Sequence, residues 1–323
     1  MGRNVKMMAA AFPLIVCMFL GLAAVVQSAE RKSATVGLCL KSITNDEFMR
    51  VASEEMKRVV EQAGYTFELV LAGGQTEVSA QVNNVEDMIN KGVDAIIVAP
   101  MDRTVLLPAF EKAKRAGIPV ILIDAGIEKG NDELFVTLVA ADAYKIGKVG
   151  GEEMVKALGS GKVGIVRGAA GSDVSESRSA GFVDALEGTD VKVVNQQNGD
   201  WANEKAMQVT ENMLSADPTI NGFFVCSDNM LSGVISAVDA AGKTGEVTII
   251  SVDGNKSALA EIEAGNCYGD VGQYPAKVGE IAAQIACDII SGKTKASSYA
   301  KFTDAGLIFM SMKNIEEARA VAY

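Results

Sequence analysis

From Val36 onward the chain alternates short apolar runs, rich in β-branched residues, with longer stretches of helical period, and this alternation restricts the fold more than any other feature. The segments ATVGLCL, YTFELVLAG, VDAIIVAP, IPVILIDAG and LFVTLVAAD read as strands buried on both faces, as in a parallel sheet covered by helices. Between them, Phe48, Ala52, Met56, Val59 and Ala63 form one helical stripe that Gly64 stops. Val78, Val82, Val85 and Ile89 form a second before Gly92, and a third helix is expected from about Thr104 to Ala116, ending at Gly117.

The same order starts again at GKVGIVRG and continues through VKVVNQQNG, INGFFVCSD and EVTIISVDGN, with helices expected near Glu176 to Leu186, Asn203 to Leu214 and Met230 to Ala241. Two α/β domains follow, each a doubly wound parallel sheet with helices on both faces. No linker rich in Pro, Gly or Ser separates the halves, so a hinge between them consists of a few residues that change backbone angles.

Ahead of this region, Arg3 and Lys6 precede an apolar run from Met8 to Val26 and the small-residue exit AVVQSAE. That pattern predicts a cleavable secretory signal over residues 1–29, cut near Ala29. A membrane-spanning helix is the alternative, since the run is nearly long enough. Cys17 follows Val16 inside the run, whereas a lipid-modified cysteine follows a small residue at its end. The expectation is a soluble exported protein.

The net charge of -11, made more acidic by removal of Arg3 and Lys6, argues against nucleic acid or an anionic membrane as partner. Histidine is absent, which excludes His-dependent triads and disfavours zinc. Cys39, Cys226, Cys267 and Cys287 lack metal or CxxC spacing; buried free thiols and a single disulfide both stay open. GSGKV, AGKTG and SGKTK follow helices and lack the leading glycine of a phosphate loop. No metal and no cofactor is expected.

Ligands of open α/β sheets collect beyond the carboxyl ends of the strands. The polar residues expected there are Lys41 to Phe48 after the first strand, Asp124 after VILI, Arg178 after the sixth, Asp200 and Trp201 after VVNQQNG, Ser227 and Asp228 after FFVC, and Asp253 after IISV. Carboxylates, an Arg, a Lys and aromatic faces together suit a polyhydroxylated ligand: the acids accept from hydroxyls, the cations donate to them, and the rings cover C–H patches. Taken singly, an Asp closing a strand also suits a helix cap, Arg178 a solvated face and Trp201 a core position.

With these residues laid out, the chain resembles periplasmic sugar-binding proteins of the ribose/galactose type, the solute receptors of ABC importers. GVDAIIVAP, AGIPVILID, SRSAGFVDAL, NGDWANEKAMQVTENML, VCSDNMLSGVISAVDAAGKTGEVTIISVDG, EIEAGNCYGDVGQYPAKVG and AAQIACDIISGK carry the similarity. It implies a type I two-lobe clamp, crossed near Ala141, Gln273 and Lys301, with one lobe of residues 30–141 plus 274–301 and another of 142–273 plus 302–323. It further implies a monomer that closes on a ligand between the lobes and docks on a membrane permease, with no catalysis. Asn45, Phe48, Asp124, Arg178, Trp201, Asp253 and Gln273 match the family's binding positions.

Departures from the ribose pattern fall at Ala125, Ala143 and Ser227, and at Glu47, which replaces the first of two paired aromatics. Lost donors leave buried hydroxyls unsatisfied at about 1–3 kcal/mol each, so the resemblance points to a hexose, a cyclitol or a sugar alcohol rather than ribose. Lys41 falls where some hexose-binding relatives carry a ligand-facing lysine, and Glu47 is read as ligand-facing, paired with Lys41 or accepting an amine. A capping box of Thr44 and Glu47 is the other reading; with Asn45 as the cap, Glu47 is free. The expected ligand set is Lys41, Asn45, Glu47, Phe48, Asp124, Arg178, Trp201, Ser227, Asp253 and Gln273. A receptor for an autoinducer-type signal or an amino sugar is the alternative. A repressor of this fold needs an N-terminal helix-turn-helix, and a hydrolase needs a paired acid and base; neither is legible.

Overall fold

A computed structural model describes residues 1–2, 33–44 and 46–323. Apart from its first two residues the expected export signal lies outside the described residues, and so does Asn45.

Residues 33–323 carry two six-stranded sheets. The first contains β1 (Thr35–Leu40), β2 (Thr66–Leu71), β3 (Ala95–Val98), β4 (Val120–Ile123) and β5 (Leu138–Ala140). The second contains β6 (Ser160–Arg167), β7 (Asp190–Asn198), β8 (Gly222–Val225), β9 (Thr248–Asp253) and β10 (Gly269–Gln273). Each is completed by a late strand, β11 (Phe302–Asp304) beside β5 and β12 (Leu307–Ser311) beside β10. The orders, β2-β1-β3-β4-β5-β11 and β7-β6-β8-β9-β10-β12, are the same doubly wound pattern twice. Every pairing is parallel except that of β12 with β10.

The apolar runs become β3 and β4, fully buried along their length, because helices cover both faces. The run YTFELVLAG does not follow the expectation: β2 is an edge strand with Thr66 and Leu71 exposed. A chain pairing on one side only leaves one flank to solvent, and composition does not reveal which run takes the edge.

Helices α1 (Glu47–Gln62), α2 (Val78–Lys91) and α3 (Leu107–Ala116) belong to the first sheet. Past β5 the chain passes into α4 (Ala143–Leu158), which packs on the second sheet with α5 (Asp173–Ala185), α6 (Asn203–Ala216), α7 (Leu231–Ala240) and α8 (Lys256–Ala264). After β10 it returns as α9 (Pro275–Ile290), packed against α1, and α10 (Ile315–Val321) closes the second lobe. Because β11 pairs with β5, the third passage falls at Ala305–Gly306 rather than near Lys301. Cys39, Cys226, Cys267 and Cys287 are buried free thiols.

Gly92 and Gly117 end α2 and α3 in the left-handed region, where glycine has no Cβ penalty. Gly147 has another role: a Cβ there would stand 1.9 Å from the Arg178 carbonyl oxygen, so α4 and α5 touch backbone to backbone. Gly147→Ala is therefore expected to cost about 1–3 kcal/mol in urea unfolding. An unchanged midpoint would show that the two helices separate without penalty.

Candidate functional site

The carboxyl ends of the two sheets face each other across a cavity. Its lining includes Lys41 after β1, Phe48 on the first turn of α1, Asp124 after β4, Arg178 on α5, Trp201 after β7, Ser227 after β8 and Asp253 at the end of β9. The doubly wound topology brings these together from seven places in the chain. Residues outside the expected ligand set join them: Asp46, which lies within the anticipated stretch from Lys41 to Phe48, and Gln75, Met101, Ser172 and Asn229, which had no such signal.

Arg178 is the electrostatic centre. Its guanidinium is buried and donates to the Cys226 carbonyl at 2.6 Å and to Asp253 Oδ1 at 3.4 Å, with Nη2 lying 4.0 Å from Asp124 Oδ1. Asp253 is further fixed by Ser227 Oγ, which donates to Oδ2 at 2.6 Å, and by Gln273 Nε2, which donates to Oδ1 at 2.8 Å. Burial pushes its carboxyl up to about 7, against the lowering effect of Arg178. Gln273 does not line the cavity; it reaches the site only through Asp253. That corrects its expected direct contact, because the side chain at the end of β10 is already engaged by the neighbouring strand's acid.

Among the described residues, the non-glycine positions with positive φ are Asp124 (60°), Asp200 (55°), Trp201 (60°) and Asp253 (128°). All stand at or just beyond the carboxyl end of a strand. Asp tolerates the left-handed region through local hydrogen bonding, but a Trp there, and a φ of 128° at any side-chain-bearing residue, are held by their surroundings. Trp201 lies flat on Gly168, where a Cβ would approach within 1.9 Å of Trp201 Cζ2.

The junction after β1 differs from expectation. The cap of α1 is Asp46, whose carboxylate accepts from the Met49 N–H at 3.1 Å and from Gln75 Nε2 at 3.2 Å. Lys41 pairs with Asp46 at 3.5 Å and places its ammonium 5.3 Å from the centre of the Trp201 ring. Glu47 instead pairs with Arg50 one turn along α1. That hydrogen bond holds its carboxyl below the usual range, and the residue borders an outer groove rather than the cavity. The reason is helical: with Asp46 as cap, Glu47 opens the first turn and faces Arg50 three residues on. No capping box forms with Thr44.

Two polar atoms of the lining residues, Arg178 Nε and Gln75 Oε1, are buried without a protein partner, and the Asp124 carboxylate takes no hydrogen bond from a described side chain closer than the 4.0 Å approach of Arg178. A polar molecule between the lobes would meet unsatisfied donors and acceptors on several sides, with Trp201 and Phe48 as apolar walls. Such a lining suits reversible capture of a polar molecule.

Residues 36–294 match the family described as periplasmic binding protein domain. The ribose import binding protein of Bacillus subtilis (strain 168) is 32% identical over 267 residues, covering 82% of this chain and 85% of that protein. A D-ribose/D-allose-binding protein of Pseudomonas aeruginosa is 33% identical over 282 residues, covering 85% and 88%. A solved structure of an ABC transporter periplasmic solute binding protein from Actinobacillus succinogenes, with bound D-allose, superposes with a TM-score of 0.80 at 29% identity over 88% of this chain and 100% of that one. A solute binding protein from Agrobacterium vitis with bound D-fucose gives 0.84 at 26% identity, over 90% and 100%.

Proposed function

The chain belongs to the periplasmic binding protein family, and we propose that it is an exported receptor that captures a small polyhydroxylated ligand between its lobes and delivers it to the permease of an ABC importer. The observation that carries this reading is Arg178, set between Asp253 and Asp124 at the base of a polar cavity walled by Trp201 and Phe48. A hydroxyl-rich ring offers donors to both acids, acceptors to the guanidinium, and C–H faces to the rings. Relatives described as binding D-allose, D-ribose and D-fucose support the ligand class. Ala125 and Ser227, small residues on the cavity wall, leave room that favours a hexose, cyclitol or sugar alcohol over ribose.

Lys41, Phe48, Asp124, Arg178, Trp201, Ser227 and Asp253 are the proposed contacts, with Asp46, Gln75 and Asn229 added to them. The lobes meet through the Gly126 N–H, which donates to Asp173 Oδ2 at 3.2 Å, and through Lys41 over Trp201. Release therefore requires rotation at the three crossings, at Ala141–Asp142, Gln273–Tyr274 and Ala305–Gly306. We place the protein in the periplasm as a monomer, with residues 1–29 removed on export. An amino sugar is a second reading, favoured by an Asp124 carboxylate that Arg178 approaches only to 4.0 Å, in a lining whose acids outnumber its cations.

Thermal-shift titration with D-allose, D-fucose, D-ribose, myo-inositol, sorbitol and D-glucosamine tests this, since a ligand of the folded state raises Tm. No shift with any of them would remove the reading. The pH dependence is specific. An ionised Asp253 is the acceptor, and its proton leaves at about 7, so affinity should rise as pH increases through that value, by roughly tenfold between about pH 6 and pH 8. In the apo protein the sign is opposite: the raised carboxyl contributes stability below its unfolded value of 3.8 that is lost as pH climbs towards 7. Asp253→Asn should flatten both profiles; an unaltered affinity profile in that variant would exclude Asp253 as the acceptor.

A further inference from the structure

The second sheet buries an acid that the proposed binding role leaves unused. Asp270 stands in β10, registered against Ser251 of β9, and has no exposed surface. Neither of its carboxyl oxygens has a partner of its own in the packed interior. An ionised carboxylate is an acceptor only, and one left without donors inside a protein takes up a proton instead.

The groups facing Asp270 decide where that proton goes. Asp228 approaches from the turn after β8, Asp253 from the end of β9 and Arg178 from α5. Cys267 lies just before β10, and the Tyr323 phenol is close to the same acids. On the other flank β12 places the uncharged Met310 opposite. Arg178 donates to the Cys226 carbonyl and to Asp253 and reaches Asp270 only through space, leaving both Asp270 oxygens without a hydrogen bond.

Asp228 is differently supplied. Ser251 Oγ donates to its Oδ1 at 2.6 Å, and the backbone N–H groups of Gly254 and Asn255 each donate to its Oδ2 at 3.0 Å. Ser251, which donates to Asp228, is the residue registered against Asp270, so the two acids lie beside the same residue, one with three donors and one with none. The acid without donors carries the proton and gives its O–H to the other.

We infer that Asp270 is a positioning residue of the cleft: a neutral acid that donates to Asp228, the pair together holding the backbone after Asp253 so that the Asp253 carboxylate faces ligand. This rests on the reading of Asp253 as a ligand acceptor. Asp228 is the intermediary. It clamps Gly254 and Asn255, directly after the strained φ of Asp253, and its own N–H donates to Asp253 Oδ2 at 3.3 Å. Burial raises the Asp270 carboxyl well above its ordinary value, and the nearby Asp228 adds to this. Loss of the proton at alkaline pH sets two anions in contact next to Asp253, and their repulsion acts on the segment that carries it.

The test compares wild type, Asp270→Asn and Asp270→Val by calorimetric titration, using whichever of D-allose, D-fucose and D-ribose gives the largest thermal shift. As pH is raised from neutrality the wild type should lose affinity, by roughly tenfold for each pH unit beyond the release of the Asp270 proton, whereas Asp270→Asn, a donor that cannot ionise, stays within about twofold over the same range. The two proteins differ at this one side chain, so the difference isolates Asp270. Asp270→Val, with no donor, should bind weakly across that range, and Asp270→Thr supplies a second neutral donor if the Asn variant does not fold.

Melting curves without sugar test the proton separately. A folded state that keeps a proton the unfolded chain has released loses stability as pH rises. The Tm advantage of Asp270→Asn over wild type should therefore be absent near pH 4 and grow towards alkaline pH. A difference independent of pH overturns the proposal. So does a pH-dependent difference accompanied by equal sugar affinity in all three proteins, which would leave Asp270 protonated without a positioning role. A wild type that titrates with none of the sugars removes the receptor reading and the positioning role with it, while the melting curves still decide the proton.

Discussion

Arg178→Ala is expected to lower folding stability by about 3–5 kcal/mol near pH 8 and to abolish sugar binding. The guanidinium is buried, and its removal strands the Cys226 carbonyl and leaves Asp253 and Asp124 without the cation that faces both. An uncompensated buried carboxylate responds by taking up a proton, so the Asp253 carboxyl, already raised to about 7 by burial, moves higher still in the variant. The loss should consequently be smaller near pH 5, where Asp253 is protonated in either protein, than near pH 8, where wild type holds it ionised. Urea unfolding followed by circular dichroism at the two pH values measures this. Arg178→Lys keeps the charge but not the planar fork and should fall between. Equal destabilisation at both pH values would mean that Arg178 acts by packing alone.

What the sequence shows about this cleft is set by which physics is local. Strands such as VDAIIVAP and the glycine stops at Gly92 and Gly117 are local, and the doubly wound order follows from them. Asp124, Trp201 and Asp253 were legible as strand-end residues because a parallel sheet places such residues at one rim. By contrast, α4 contains Gly147, Gly150 and Gly151, poor helix formers whose value lies in close approach to a neighbour: to α5 at Gly147 and Gly151, and to the Phe224 ring at Gly150. Nothing local distinguishes β11 from β12: KFTDAGLIFMS is one stretch, and only pairing with β5 and β10 divides it between sheets.

The same limit explains the junction at CLKSITNDEFM. Several residues there had cap chemistry, and proximity in sequence suggested that Lys41 would find Glu47. The helix start at Glu47 decides otherwise, since it makes Asp46 the cap and turns Glu47 towards Arg50. Gln75, which donates to Asp46 from the loop after β2, had no periodic or motif signal. It belongs to the site because β1 and β2 are neighbours whose carboxyl ends share a rim. Asp270 was hidden for a related reason: a carboxyl in a strand interior reads as an anomaly until its partner, Asp228, is known.

The second large effect belongs to Trp201. Trp201→Ala should cost about 3 kcal/mol, at the lower end for a buried tryptophan because one side of the ring faces the cavity, and should weaken sugar binding by at least about 100-fold, since both the apolar wall and its contact with Lys41 are lost. The ring is buried on the Gly168 backbone and takes the Lys41 ammonium 5.3 Å from its centre. Lys41 follows β1 of one sheet and Trp201 follows β7 of the other, so this contact exists only while the lobes are together. Trp201→Phe retains a stacking face and should stay within about tenfold of wild type, which separates loss of the wall from loss of the fold. Trp201 is the one tryptophan of the chain, so its fluorescence reports the cleft without labelling. Sugar should change that emission, and Lys41→Met, which removes the charge above the ring but keeps an apolar stem, should reduce the change. An emission indifferent to sugar in a protein that binds it would place the ligand away from Trp201.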